Sequence, residues 1–187
     1  MSGGPIGGWL ESLAHLQADG AAITAAARTT MTNPQARRTL GANYWSYIGQ
    51  QAILFATGRI SCAVTTPGTA RFDLSFGANV VFDTQAMNLN IVAKVNVHWM
   101  LAVLLTCRAV GSAANLMGQG IWTSEAVIAS PLPTVGGSGL FTVPYNAAAA
   151  PGANFDSSAS QVMDLFFTQT VATGSCTLHQ LALLSVN

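Results

Sequence analysis

The sequence predicts an all-β protein: a jelly-roll-like antiparallel β-sandwich preceded by a partly helical N-terminal arm. Three observations carry that prediction. In KVNVHWMLAVLLTCRAV, residues 94–110, Val95, Val97, Trp99, Leu101, Val103, Leu105, Cys107 and Ala109 share one parity and are all apolar. Lys94, Asn96, His98, Met100, Ala102, Leu104, Thr106 and Arg108 share the other, which is polar at its ends and greasy in its middle. A period of two sends these sets to opposite faces of one long strand. Second, from Gln50 onward short apolar runs are separated by Gly-, Pro- and Asn-rich breakers, the punctuation of stacked antiparallel sheets. Third, no amphipathic helix alternates with these runs, which excludes an α/β fold.

The 187 residues suffice for one well-cored domain and an appendage, and texture divides them into an arm, 1–49, and a sandwich domain, 50–187. In GWLESLAHLQADG, Trp9, Leu13 and Leu16 recur at helical spacing with Gly20 beyond them, which predicts a short amphipathic helix. AAITAAARTTMTNP predicts a second, weak helical piece that ends before Pro34. TLGANYWSYIGQ then packs Tyr44, Trp45 and Tyr47 between two glycines. An arm without a core of its own must lie on its own domain, on a neighbouring subunit or on another protein. Its candidate interface residues are Trp9, Leu13, Leu16, Ile23, Arg37, Arg38, Tyr44, Trp45 and Tyr47.

In the domain, QQAILFATGRISCAVT is followed by a Pro67–Gly68 turn, then by ARFDLSFG, NVVFDT, MNLNIVAK and the long strand above. LMGQGIWTSEAVI, GLFTVP, QVMDLFFTQTV and SCTLHQLALLSV complete eight or nine predicted strands. The last two read as a hairpin turning at Thr173–Gly174, and Gly118-Gln119-Gly120 reads as a bulge. The uneven connections, including PYNAAAAPGANFDSSAS, favour a jelly roll over an up-and-down barrel.

Only 7% of residues are charged and 50% are hydrophobic, against roughly a quarter charged in ordinary soluble domains. A neutral, charge-poor exterior favours association, so the chain is expected to homo-oligomerise. With a formal net charge of zero and no basic cluster, it has no nucleic-acid footprint. The uncharged run Val95–Cys107 would span about 20 Å as a helix, short of the roughly 30 Å of bilayer hydrocarbon, so no membrane span is expected. Cys62, Cys107 and Cys176 are an odd number of thiols at long separations, which predicts buried free cysteines, neither disulfides nor structural zinc, in a protein made in a reducing cytosol. MSGGPIGGWLESL lacks the basic and apolar regions of a signal peptide.

No catalytic constellation emerges, and the chain is not expected to be an enzyme. GGSG at 136–139 is followed by Leu140 where a nucleophile elbow needs glycine, and the GQG run lacks the third glycine of a phosphate cradle. His98 opposes Trp99 across a strand, His179 opposes Cys176, and His15 belongs to the arm, so no metal or cofactor is expected. Asp73, Asp83, Asp156 and Asp164 are expected in salt bridges with arginines such as Arg59, Arg71 and Arg108, not in a glycosidase pair. Trp99 and Phe166 or Phe167 read as core. Trp122 and Tyr145 are candidate exposed rings of the kind on which sugars stack, with packing as the simpler expectation.

Taken together, FDTQAMNLNIVAKVNVHWMLAVLLTCRAVG, NLMGQGIWTSEAV and DLFFTQTVATGSCTLHQLALLSVN resemble a family of tailed-bacteriophage virion structural proteins, over about residues 70–187. The resemblance implies a jelly-roll protein displayed on the particle, typically as a trimer. On that reading the expected role is a homotrimeric head decoration, or cement, protein. It would be made in the host cytoplasm and would sit on the capsid surface, held to the major capsid protein by its arm. The alternative with the same fold is a tail-fibre or baseplate head that binds host polysaccharide. The arm lies outside the resembling phrases.

Overall fold

The structure, a computed structural model, describes residues 10–63, 67–128 and 139–186. These residues form β1 (Leu10–His15), β2 (Thr29–Thr30), β3 (Thr39–Leu40), β4 (Gln51–Cys62), β5 (Thr69–Phe76), β6 (Asn79–Asp83) and β7 (Met87–Leu89). They continue with β8 (Lys94–Ala109), β9 (Asn115–Ser124), β10 (Val127–Ile128), β11 (Leu140–Val143), β12 (Gln161–Gln169) and β13 (Ser175–Val186). A six-stranded sheet runs β1-β13-β4-β8-β9-β11, and a seven-stranded sheet runs β10-β7-β5-β12-β2 with β3 on β12 and β6 on β5. Every pairing is antiparallel.

The all-β, two-sheet prediction holds, and the alternation in β8 is the reason. Trp99, Leu101, Val103, Leu105 and Cys107 are all buried, while His98, Leu104 and Arg108 are exposed. Between the sheets, Phe72 of β5 packs against Trp99, Trp122 and Phe167, with ring centroids 4.9, 4.3 and 5.1 Å away, and the two tryptophans stack at 5.1 Å. Gly58 of β4 makes room for this cluster, since a Cβ there would lie 2.9 Å from the Trp99 ring and 1.9 Å from the Thr177 carbonyl oxygen.

Four expectations are corrected. The arm is not helical: among the described residues the only helix is a single 3-10 turn at Gly111–Ala113. Leu10–His15 is instead an edge strand on β13, with a bulge between Ser12 and Ala14. The bulge shifts the register by one, which breaks simple alternation and leaves Leu13 and Leu16 at a spacing that mimics a helix. The second predicted helical piece is also extended, with Ile23 bridged to Cys176 and β2 paired to β12.

The third correction concerns the last two strands, which are not a hairpin: β12 lies in the seven-stranded sheet and β13 in the six-stranded one, so the turn between them crosses the sandwich. Fourth, Gly118 and Gly120 are not a bulge, because both pair regularly with β8. Gly118 instead leaves space for Phe82, whose ring carbon would lie 2.3 Å from a Cβ at that position.

The arm therefore lies on its own domain along one side of the sandwich. Leu16, Gly20 and Ile23 donate backbone hydrogen bonds to Leu181, Leu178 and Cys176 of β13, and Met31 donates to Leu165 of β12. The same segment thus supplies an edge strand to each sheet and covers the unpaired backbone that β12 and β13 would otherwise expose.

Candidate functional site

The outward face of the six-stranded sheet carries exposed apolar side chains on several strands. Its side chains form four cross-strand rows, read from β13 through β4 and β8 to β9 and β11. One row is Leu184, Ile53, Leu104 and Gln119, and the next is Ala182, Phe55, Ala102, Ile121 and Thr142. A third is Gln180, Thr57, Met100, Thr123 and Leu140, and a fourth is Val186, Gln51, Thr106 and Met117. None of these side chains is charged, and at the sheet edge β1 extends the rows with Leu10 beside Val186, Ser12 beside Leu184 and His15 beside Ala182. Phe55, Leu104 and Ile121 are 36%, 43% and 40% exposed, so the centre of the face is both apolar and open, and Leu140 on the edge strand β11 is 59% exposed. The register also pairs Arg59 with His98 beyond one end, and Arg108 lies beyond the other. Neither arginine joins an ion pair among the described residues.

The seven-stranded sheet is handled differently, because its outward acids on β5 and β12, Asp73 and Asp164, are paired with arm arginines. Arg28 sends Nε to both Asp73 oxygens at 3.2 and 3.0 Å and Nη2 to Ser75 at 2.6 Å, while its guanidinium lies 3.5 Å over the Phe166 ring. Asp164 accepts from Thr30 at 2.7 Å and from Thr32, and pairs with Arg37 Nε at 3.2 Å. Arg71 grips Asp83, and that bond holds the guanidinium pKa above its ordinary value. Asp156 accepts from the Ser158 hydroxyl and backbone N–H, which lowers its carboxyl pKa. The acids are thus in local partnerships, but for Asp73 and Asp164 the partners are arm arginines, not Arg59 or Arg108.

The candidate residues of the arm separate into two groups. Trp9 lies outside the described residues. Ile23 and Trp45 are buried, and Leu13, Leu16 and Tyr44 are partly buried against the core. Trp45 packs on Phe76 at 6.2 Å, and burial raises the Tyr44 hydroxyl pKa. Arg37 is held by Asp164. Arg38 and Tyr47 remain exposed, as does Ile48. Most of the arm's apolar side chains are thus satisfied within one copy.

Trp122 is fully buried and unavailable as a sugar platform. Tyr145 is half-buried, with its ring 5.3 Å from Phe141. It borders a hollow of about 330 Å³ with Thr69, Gln85, Asn88 and Asn146. A second groove of about 310 Å³ shares Gln85 and is lined by Arg71, Asp83 and the 144–153 loop. His179 Nδ1 lies 2.9 Å from Asp19. Among the described residues no three His, Cys, Asp or Glu side chains converge to hold a metal, and no helix is long and apolar enough to cross a membrane. All three cysteines are free and buried.

No family model matches this sequence, and no curated protein matches it. Among solved structures, the CBM2 module of the evolved Dit of Lactobacillus casei BL23 phage J-1 aligns over 97% of this chain and 98% of that one, at 9% identity and a TM-score of 0.38. A superposition that loose carries no argument about fold or function.

Proposed function

We propose that this protein is a non-enzymatic virion structural component, a homotrimeric jelly-roll decoration protein on the capsid of a tailed bacteriophage. The observation that carries the structural role is the uncharged apolar face of the six-stranded sheet, a surface suited to permanent contact and poorly suited to a dilute monomer. The phage assignment rests on the sequence phrases that resemble the virion family. Contact with the major capsid protein falls to the exposed part of the arm, Arg38, Tyr47 and Ile48. Cryo-electron microscopy of purified particles tests this reading. Density for the sandwich on the head lattice is the expected result, and its confinement to the tail would replace it.

A second reading, a tail-fibre or baseplate head that binds host polysaccharide, is favoured by one observation. Tyr145 stands among the amides of Gln85, Asn88 and Asn146, a ring beside planar donors and acceptors such as sugars use. Glycan-array binding that is lost in Tyr145→Ala would support it.

A further inference from the structure

We infer that the outward face of the six-stranded sheet is where this chain meets a second copy of itself. The inference deepens the proposed homotrimer by naming its contact surface. Four rows across five strands make about 600 Å² of pleated surface per copy at ordinary sheet spacings, close to the roughly 800 Å² that each partner contributes to a standard interface. The face is also built like an interface, with an apolar centre, a polar rim and arginines outside it.

The chemistry of the rim selects a sister copy as the occupant. Gln51, Thr57, Thr106, Gln119, Thr123, Thr142 and Gln180 carry amides and hydroxyls. Such groups both donate and accept, so a face made of them complements itself. Over β13, β4, β8, β9 and β11 neither acid nor base enters the four rows, and His15 of β1, beside Ala182, lies at the outer edge of the face, so faces that meet over the five strands bury no charge, a costly step when unpaired. Arg59 and Arg108 flank the contact and stay in water, and the formal net charge of zero leaves copies without long-range repulsion. In the proposed trimer the three faces meet around the three-fold axis, so the face of each copy contacts both neighbours.

Light scattering on the full chain after size exclusion provides the test. The wild type is expected at a multiple of 19.3 kDa. Leu104→Glu and Ile121→Glu are expected at the mass of one chain with an unchanged β-type circular dichroism spectrum, while Val162→Glu, at an exposed position on β12, leaves the oligomer intact. Folded face variants that remain oligomeric would overturn the inference.

Photocrosslinking covers the case in which glutamate prevents folding. A benzophenone side chain at position 104 should yield multimer bands, and one at 162 should yield none. Bands from 162 alone would leave self-association standing and remove this face from it. A wild type that runs as a single chain overturns both the trimer and its surface. Crosslinks from 104 that form only when particles are added would assign the face to another protein.

Discussion

At the residue scale, the structure turns on how a charge-poor chain treats its few charges. Asp73 is 1% exposed, and its compensation comes chiefly from Arg28, a residue of the arm. Removing the cation strands a buried anion, whereas removing the anion leaves a half-exposed guanidinium that water can solvate. Arg28→Ala is therefore expected to cost about 3 kcal/mol, and Asp73→Asn distinctly less. Urea denaturation of the two variants checks the order, and equal losses would contradict it.

Burial also pushes the thiols of Cys62, Cys107 and above all Cys176 up from their ordinary value of 9.0, and raises the Tyr44 hydroxyl from 10.0. Each group keeps its proton longer in the folded state than in the unfolded one. The stability this contributes is complete below pH 9 and is lost as pH rises from there toward the folded-state values. Thermal melts are expected to fall as pH rises above about 9, less so in Cys176→Ala, and a flat profile would contradict this. The buried thiols were legible from their number and spacing. For Trp122 packing was the simpler expectation, although its parity set of Leu116, Gly118, Gly120 and Ser124 is mostly small or polar and does not mark a core face. Only the pairing with Leu101 and the Phe72 contact place it in the core.

At the element scale, the arm shows where local pattern misleads. Leu13 and Leu16 have helical spacing, yet a short isolated helix is marginal in water. The edge of β13 offers a row of unpaired donors and acceptors that a strand can satisfy. The edge wins, and the bulge between Ser12 and Ala14 absorbs the irregular pattern. Deleting residues 2–15 should therefore cost about 2 to 4 kcal/mol, from lost strand hydrogen bonds and the burial of Leu13 and Ala14. It should also promote aggregation through the uncovered β13. Calorimetry and turbidity measure the two effects, and a melt unchanged from wild type would show that β1 is not a structural strand. A deletion of residues 2–40 removes edge strands from both sheets and is expected to prevent folding, so it cannot isolate a docking role. The long strands from β4 onward were legible because their alternation is self-contained. The split of β12 and β13 between sheets was not, because a turn of the same residues can close a hairpin or cross a sandwich.

At the scale of the whole molecule, the two outward faces differ in kind. One carries charges neutralised by the arm, and the other carries an uncharged apolar field. Association through the second should be driven by apolar burial and should respond little to screening. The oligomer mass is expected to hold from low salt to about 1 M sodium chloride, where the Debye length has shrunk to about 3 Å. Dissociation at high salt would point to ion pairs at Arg59 and Arg108 instead.

By itself the sequence determined that this protein is built of antiparallel strands, which side of β8 is buried, and that the chain is poor in charge. These follow from a period of two and from composition, both of which are local. Only the tertiary structure decided that the arm is extended and spent mostly on its own domain, that Trp122 is core, and that the apolar residues of five strands merge into one open face. Those outcomes depend on which distant strands become neighbours, and a pairing between residues more than a hundred positions apart, such as Phe55 and Ala182, leaves no mark in either segment alone.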